Sequence, residues 1–399
     1  MVISSKIIQR YLSGHMDFIR QAETARRYFA NQNDIKTDNH VIQRAAEVET
    51  ELGNPLRTAD NRISHDWHSL LVTQKVAYAL SFPPVFDVGQ KNNNAQIVEI
   101  LGDRYTSTAA QLGIDASNTG VGWLHYWTDE TGGFCYHTVD PVQIIPIFSG
   151  TLDSKLIGVL RCYIMDDPSS GQQKQICEAW DNTSVRYYEQ NTYGNYAYFS
   201  YPEIGQEMAH GMGAVPFIPF WNNTQHTGDL PLYKDLIDAY DEVISGFAND
   251  MEDVQEIIFV LKNYGGEDKT EFLDDLKRSK IIKVEGDGGV DTIRAEIPHE
   301  ARGAFLDRTR KQIFISGMGV DPSPEHFGDS SGVALKYLYS LLELKAGMLE
   351  TEFRSGFAEL IRAICRHEGL PSPQRIIQTW TRNAVQNDQE TAQIAQQST

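Results

Sequence analysis

The stretch LYKDLIDAYDEVISGFANDMEDVQEIIFVL, residues 232–261, determines how the rest of the chain is interpreted. From Tyr240 to Leu261 its apolar residues recur at alternating steps of four and three, a spacing that predicts one continuous helix with a narrow apolar side. The double glycine Gly265-Gly266 ends it, so the predicted helix has about 32 residues and a length of roughly 48 Å. Such a helix cannot bury its apolar side alone, and we expect neighbouring copies of the chain to cover it.

Acidic residues dominate the other sides of this predicted helix. Two lysines, Lys234 and Lys262, stand against eight carboxylates, which are Asp235, Asp238, Asp241, Glu242, Asp250, Glu252, Asp253 and Glu256. The whole chain of 399 residues carries a net charge of −19 and has a sequence pI of about 5.0. Such a surface argues against tight, sequence-independent binding of DNA or of an anionic membrane, but it is compatible with DNA that moves past the protein.

The patterns before this stretch predict helices followed by an antiparallel β region. Apolar residues recur at helical spacing in the segments 4–30, 61–82 and 95–112. From Val121 the period changes to two, and Gly132-Gly133 predicts a hairpin turn. Further strand-like segments are 143–148, 156–165, 174–181, 184–189 and 197–201. Aromatic residues are frequent in this region but lysine and arginine are sparse, which favours a sheet core over a surface that stacks nucleic-acid bases.

A small module and a second helix follow the long predicted helix. Residues 267–297 predict a short helix and two strands, 281–286 and 290–297. The next helix, predicted at 300–315, carries a basic cluster formed by Arg302, Arg308, Arg310 and Lys311.

A loop and another very long helix complete the pattern. The segment 317–332 is rich in glycine and proline and must be a loop. A helix is predicted from Gly332 to about His367, and one more strand at 375–382. This second long helix, like the first, is expected to need neighbouring copies of the chain to cover its apolar side. The chain therefore has the pattern of an α+β protein.

Motifs for catalysis or cofactor binding are absent from the sequence. It contains no phosphate-binding glycine loop, dinucleotide fingerprint or nucleophile elbow. The cysteines lie far apart and form no CxxC pair, which argues against a zinc site or a disulfide framework; they are Cys135, Cys162, Cys177 and Cys365. His65 and His68 have no third ligand nearby, so we expect partly exposed polar residues on a helix and not a metal site. We expect no enzyme, no cofactor and no metal, and no apolar run approaches the roughly 18 residues of a membrane span.

Four separated blocks, in the same order along the chain, resemble the portal proteins of long-tailed double-stranded DNA bacteriophages. The two longest are AYDEVISGFANDMEDVQEIIFVLKNYGG (239–266) and SSGVALKYLYSLLELKAGMLETEFRSGFAEL (330–360). The flanking blocks are NRISHDWHSLLVTQKVAYALSFPP (61–84) and RIIQTWTRNAVQNDQETAQ (375–393). The resemblance covers most of residues 5–393.

The resemblance implies an assembly in which a ring, typically of twelve copies, occupies one vertex of the capsid and DNA passes through its centre. The chain would divide into an antiparallel β-rich wing with helices (1–230), a first stem helix (231–263), a small α/β clip (264–299), a second stem helix (300–317), a tunnel loop (318–331), a long wing helix (332–367), and a wing strand followed by a short or truncated crown (368–399). Implied partners are further copies of the chain, double-stranded DNA in transit, the terminase large subunit, the major capsid or scaffolding protein, and the head-tail connector. The implied location is the portal vertex of the virion, after assembly in the host cytoplasm.

The resemblance also implies roles for particular residues. The tip of the tunnel loop would grip or gate DNA, with a passive connection between helices as the alternative; it comprises Asp321, Pro322, Ser323, Pro324, Glu325, His326 and Phe327. The acidic helix faces would repel phosphates in the channel, and the basic cluster would pair with acids of a neighbouring subunit or contact DNA, of which we favour the first. Candidates for docking a partner at the clip are Asp274, Asp275, Lys277, Arg278 and Asp287. Two other functions are compatible with the sequence, an acidic cytosolic hydrolase or nuclease with scattered carboxylates and a non-portal oligomeric adaptor.

Overall fold

The computed structural model describes residues 3–37, 59–166, 171–200, 205–253, 258–262, 289–293, 298–322, 337 and 339–383. Within these ranges the helices are α1 (Ser5–Phe29), α2 (Trp67–Leu80), α3 (Lys91–Leu101), α4 (Tyr105–Thr119), α5 (Lys234–Asp253), α6 (His299–Ser316) and α7 (Ser340–His367). The chain divides into two compact units, one comprising 1–32, 66–235 and 311–399 and the other 33–65 and 236–310.

Antiparallel pairing accounts for every sheet in the described ranges. The strands are β1 (Val85–Asp87), β2 (Val121–Thr128), β3 (Phe134–Val139), β4 (Ile144–Phe148), β5 (Leu156–Asp166), β6 (Gln173–Trp180), β7 (Ser184–Gln190), β8 (Tyr196–Tyr198), β9 (Glu207–Ala209), β10 (Phe217–Trp221), β11 (Ile258–Lys262), β12 (Gly289–Ile293) and β13 (Ile377–Thr379). One sheet has the order β4-β5-β6-β7-β8 with β9 also on β7, a second has the order β10-β2-β3, and β1-β13 and β11-β12 form two-stranded sheets. The α+β class is confirmed.

Helix positions follow the sequence patterns, with two exceptions in the N-terminal half. The predicted helix 95–112 is two helices, because Gly102 adopts a φ of +57° after α3 and lets the chain turn before α4 begins. The predicted helix 61–82 begins only at Trp67. The hairpin around Gly132-Gly133 is confirmed, and the aromatic residues Trp123, Tyr188 and Tyr196 lie in the core as expected.

The long helix predicted through residue 263 is wrong at its C-terminal end. α5 extends to Asp253, and residues 258–262 form β11, which pairs with β12 from Ile258–Ile293 to Lys262–Gly289. The run Ile257-Ile258-Phe259-Val260-Leu261 fits a strand as well as a helix, and a short apolar run cannot separate the two by spacing alone. A partner strand distant in sequence decides the outcome. The strand predicted at 281–286 lies outside the described residues.

α7 packs inside the core of its own unit. Phe353 and Phe357 are buried and meet the ring of Phe220 on β10 at centroid distances of 5.1 and 5.0 Å. Gly356 lies against the same ring, where a Cβ atom would come within 2.7 Å of it. The expectation that a helix of this length needs a neighbouring copy to bury its apolar side is therefore wrong for this part of α7.

In the other unit, a row of polar side chains on α5 binds an extended segment. Asp241 Oδ1 accepts a hydrogen bond from the backbone nitrogen of His65 (3.1 Å), Ser245 Oγ from that of Ile63 (2.9 Å), and Asn249 Oδ1 from that of Asn61 (2.6 Å). Four residues of helix rise about 6 Å and two residues of extended chain about 6.7 Å, so the two repeats match. This match keeps residues 61–65 extended although their sequence suggested helix.

Candidate functional site: the root of the 318–331 loop

The end of α6 leads into the loop through a tight C-cap. The backbone nitrogen of Gly319 donates to the carbonyl oxygen of Phe314 (2.9 Å), and that of Met318 donates to Ile315 (3.1 Å). This pair of bonds is a Schellman motif, in which glycine usually takes the left-handed position. Here Met318 occupies it with a φ of +53°. The direction in which the chain leaves α6 is therefore set by hydrogen bonds and not by a flexible glycine.

α2 holds the backbone just after this cap. The amide of Gln74 donates to the carbonyl oxygen of Val320 (2.8 Å) and accepts from its backbone nitrogen (3.0 Å). The side chain of Leu71, which is buried, packs so closely on Gly317 and Gly319 that a Cβ atom at either position would collide with it. Glycine is required at both positions because the Leu71 side chain of α2 lies directly against the backbone of the loop root.

A buried ion cluster lies behind this contact. Asp229 Oδ2 is 2.6 Å from Lys75 Nζ and 3.1 Å from Lys345 Nζ, and each of the three residues is at most 4% exposed. Asn222 donates to the second oxygen of Asp229 (2.8 Å) and accepts from Lys75 (2.7 Å). Lys345 also donates to the carbonyl oxygen of Gly317 (2.8 Å), so the cluster holds the loop root directly.

The charges of this cluster depend on one another. Burial by itself raises the pKa of Asp229, but Lys345 and Lys75 outweigh it and hold that pKa well below its usual range. Burial is also the largest influence on Lys75 and lowers its pKa to about 8, although Asp229 acts in the opposite direction. One carboxylate thus balances two buried ammonium groups.

His68 extends the network towards the start of α5. Its Nε2 lies 2.8 Å from Asn118 Oδ1 and its Nδ1 lies 2.7 Å from the hydroxyl of Tyr233. Because an amide oxygen only accepts, Nε2 carries the proton and Nδ1 accepts from the tyrosine. Burial lowers the pKa of His68 to about 4, against the opposing effect of Asn118. The expectation of a partly exposed histidine is wrong, since His68 is fully buried.

α2 also contacts the residues around the start of α7. Tyr339 stacks on Tyr78 of α2 with a centroid distance of 5.7 Å, and the Tyr78 hydroxyl donates to Glu343 (2.7 Å). Arg382 bridges Glu343 (3.1 Å) and Glu350 (2.6 Å). Burial, followed by the hydrogen bond to Glu343, raises the pKa of Tyr78 to about 12. Gln74 and Tyr78, one helical turn apart on α2, thus contact Val320 and Tyr339 respectively.

Between Val320 and Tyr339 lies a cleft of about 280 Å³. It is lined by Gln74, Ala77, Tyr78, Val320, Pro322, Tyr339, Leu342 and Asn383. The lining combines aliphatic side chains with tyrosine and amide groups. In the part of the chain that the structure describes, no three histidine, cysteine, aspartate or glutamate side chains are grouped to hold a metal ion.

Comparison with known proteins identifies the family. A family model described as "Phage portal protein, SPP1 Gp6-like" matches residues 8–399. The chain belongs to the phage portal protein family. The portal protein of Clostridium phage phiCD119 is 43% identical over 394 residues, which cover 94% of this chain and 85% of that protein. The portal protein of Bacillus phage SPP1 is 35% identical over 382 residues, covering 92% of this chain and 75% of that one.

Membership confirms the resemblance drawn from the four sequence blocks. Phage portal proteins are structural components of the virion capsid, and their identity as portals implies an oligomeric ring. No helix of the described ranges is both long enough and apolar enough to cross a membrane.

The acids predicted to line the portal channel are not equivalent in the structure. Asp235, Glu242 and Glu252 are exposed. Asp241 is completely buried, where its Oδ2 accepts from the Asn33 amide (2.6 Å), so its assignment to an outer acidic face is wrong. Asp238 and Asp250 are partly buried, the side chain of Asp253 lies outside the described residues, and so does Glu256.

The residues of the basic cluster on α6 also differ from one another in their surroundings. Arg302 pairs with Asp250 of its own chain (2.5 Å) and lies over the ring of Phe247, so its predicted pairing across subunits is not needed to balance its charge. Arg308 and Lys311 are exposed, and Arg310 is partly buried. The tip residues Ser323, Pro324, Glu325, His326 and Phe327, and the clip candidates Asp274, Asp275, Lys277, Arg278 and Asp287, lie outside the described residues.

Sequence reasoning missed the residues that hold the loop root. Lys75 and Lys345 occupy positions on the apolar sides of α2 and α7, beside Val72 and Val76 and beside Leu342 and Leu349. A lysine in phase with buried apolar residues is a signal for a buried ion pair, because an isolated ammonium group cannot be buried there. The position of its partner, Asp229, in a loop gave no such signal.

Proposed function

We propose that this protein assembles into a ring of twelve copies at a single capsid vertex, through which double-stranded DNA is packaged and later ejected. The observation that carries this proposal is the match to portal proteins over almost the whole chain, with 43% and 35% identity to two of them. The match extends over the segments that we assign to the wing, the stem, the clip and the tunnel loop. Nothing in the described part of the chain favours a hydrolase, a nuclease or a different adaptor.

An exposed apolar stripe at the start of α7 supports a contact between copies. It consists of Tyr337, Leu341, Leu344 and Met348, which are 79%, 36%, 63% and 44% exposed. These residues recur at steps of four, three and four, so that they follow one side of a helical path. Leu342 and Leu349, on the opposite side, are buried in the core of the same chain. We assign the stripe to a second copy of the chain, because the family forms rings and a ring subunit must bury matching surfaces.

Electron microscopy of the purified chain tests both statements. Negative staining should show rings with a central hole, and Leu344→Asp should abolish or greatly weaken them while the circular dichroism spectrum stays unchanged. Leu152→Asp is the matched control, since Leu152 is fully exposed in the loop before β5 and should leave the rings intact. Wild-type protein without rings would contradict the proposed function, whereas normal rings in Leu344→Asp would contradict only the role of the stripe.

The supported loop root suits a role of the 318–331 loop on DNA. A loop that exerts force on a moving polymer needs a rigid attachment, and its N-terminal root is hydrogen bonded to Gln74 of α2 at Val320 and to Lys345 of α7 at Gly317. We therefore assign the loop tip to gripping or retaining DNA. Deleting Pro322–Phe327 should lower the DNA content of otherwise intact heads, measured as DNA per particle. Normal DNA content would show that the loop is a passive connection.

The exposed charges of the stem helices fit a channel and its subunit contacts. Exposed acids repel phosphates within roughly 8 Å at physiological salt, which lets DNA slide. Arg308 and Lys311 remain available to pair with a neighbouring subunit. Arg308→Glu with Lys311→Glu should then reduce ring formation. Intact rings with a defect only in packaging would assign these two residues to DNA.

We further propose the family's partners for this chain. The terminase large subunit docks at the clip and supplies ATP hydrolysis, the major capsid or scaffolding protein surrounds the wing, and the head-tail connector binds after packaging. These partners rest on family membership, and co-purification of the ring with each protein tests them.

A further inference from the structure

Two cysteines lie on neighbouring strands of the six-stranded sheet formed by β4 to β9. Cys162 on β5 is the direct partner of Cys177 on β6 in the antiparallel register, and their Sγ atoms are 2.8 Å apart. Both are free thiols. The separation of the cysteines along the sequence gave no sign of this contact, because strand pairing brings together positions that are distant in sequence.

The geometry of this pair fits a disulfide without movement of the backbone. Direct partners in an antiparallel sheet have Cα atoms about 4.5–5.5 Å apart, within the roughly 4.4–6.8 Å that disulfides span. The sulfur atoms already point at each other, and a disulfide length of about 2.05 Å requires an approach of only about 0.8 Å. Small rotations about the side-chain bonds supply this distance.

The surroundings give the two thiols different access to solvent. Cys177 is completely buried in a cluster with Ile3, Ile8 and Tyr188, beneath the start of α1. Cys162 lies at the margin of this cluster and is partly exposed. The hydrogen bond with Cys162, together with burial, raises the pKa of the Cys177 thiol well above its usual range. An oxidant in solution therefore reacts with Cys162 first, and the buried Cys177 thiol can react only afterwards, with Cys162.

We propose that Cys162 and Cys177 form a redox-sensitive dithiol that a peroxide closes to a disulfide. The Cys162 thiolate attacks one peroxide oxygen, which breaks the O–O bond, releases hydroxide and leaves a sulfenic acid. The sulfur of Cys177 then attacks the sulfenic sulfur, its thiol proton leaves with the departing hydroxide as water, and the S–S bond forms. Hydrogen peroxide and two thiols thus give one disulfide and two waters, so that atoms and electrons balance.

The disulfide would tie the middle of β5 to β6 below α1. The pair would remain reduced in the host cytoplasm and close after the particle leaves it. This biological timing rests on the proposed function, whereas the chemistry of the pair does not. It can be tested on the purified chain whether or not rings form.

Peptide mapping of the full chain is the direct experiment. Reduced protein is treated with hydrogen peroxide, free thiols are blocked with iodoacetamide, and the protein is digested with trypsin without reductant. Cleavage at Arg161, Lys174 and Arg186 places the two cysteines in separate peptides, 162–174 and 175–186. We expect these peptides to be linked, and to separate on reduction with dithiothreitol. Cys135 and Cys365 should not enter the linked species.

Two variants separate the proposal from unspecific oxidation. Cys177→Ser removes the second thiol, so that Cys162 should proceed to the sulfinic acid, detectable as two added oxygen atoms. Cys135→Ser is the matched control and should leave the linked peptides unchanged. Oxidation should also raise the Tm of the wild-type protein by a few degrees and leave that of Cys162→Ser unchanged. Two results would overturn the proposal. One is that both thiols of the wild-type protein still react with iodoacetamide after peroxide treatment; the other is that Cys162 is oxidised to the sulfinic acid although Cys177 is present.

Discussion

Asp229→Asn tests whether the buried ion cluster supports the loop root. The substitution keeps the shape of the side chain and removes the one negative charge between Lys75 and Lys345, whose nitrogen atoms lie 2.6 and 3.1 Å from Asp229 Oδ2. Two buried ammonium groups would then repel each other without a counter-charge. Because water cannot reach them, the folded protein must bear this repulsion or release a proton.

The expected cost follows from the loss of one partner of a buried ion pair. Removing one partner of a buried ion pair typically costs about 3–5 kcal/mol. We therefore expect the free energy of unfolding to fall by about 3–5 kcal/mol at neutral pH.

Denaturant unfolding at two pH values measures this cost. A lysine with a lowered pKa binds fewer protons in the folded than in the unfolded state, so the stability of the variant rises with pH up to 10.5, the unfolded value. Wild-type Lys75 itself loses its proton around a pKa of about 8, so the deficit of Asp229→Asn should narrow between pH 7 and about pH 8.5 and stay constant above that. Asp17→Asn, at an exposed carboxylate paired with Arg20, is the matched control and should change stability by less than about 0.5 kcal/mol. A deficit that is small, or large but independent of pH, would refute the electrostatic explanation.

Two further predictions concern the histidines and glycines. The pKa of His68 is about 4 in the folded protein against 6.5 when unfolded, so the unfolded state binds the proton first and stability falls by about 3 kcal/mol as pH drops from 6.5 to 4. His68→Gln should remove this loss of stability from acid-unfolding curves. The similar loss due to His125, whose pKa burial also lowers to about 4, should persist. An acid-unfolding curve identical to that of the wild-type protein would contradict the assignment to His68. Gly319→Ala should destabilise by about 1–3 kcal/mol because the new methyl group meets Leu71, whereas Gly347→Ala, with open space on α7, should stabilise by about 0.5–1 kcal/mol, both measured by thermal unfolding.

Local patterns predicted a large part of the fold. The helical spacing along α1, α6 and α7, the two-residue period of β2 and β3, and the hairpin turn at Gly132-Gly133 were all visible in the sequence. They were visible because each depends on residues within a few positions of one another. The loop predicted at 317–332 lies mostly outside the described residues.

The contacts that attach the loop root and the start of α7 to α2 could not be predicted in the same way. Gln74, Lys75 and Tyr78 lie on one helix, but their partners Val320, Asp229 and Glu343 are distant in sequence. The spacing of α2 showed that one side is buried and did not show which carboxylate balances its lysine.

The sequence alone determined the family, the α+β class and most helix positions, because these follow from residue order and from the period of apolar side chains. Only the tertiary structure decided that residues 258–262 pair as a strand, that Asp241 faces inward, and that Cys162 meets Cys177. Each of these outcomes depends on a partner brought close by folding, and the free energy of a long-range contact is not encoded in either segment taken separately.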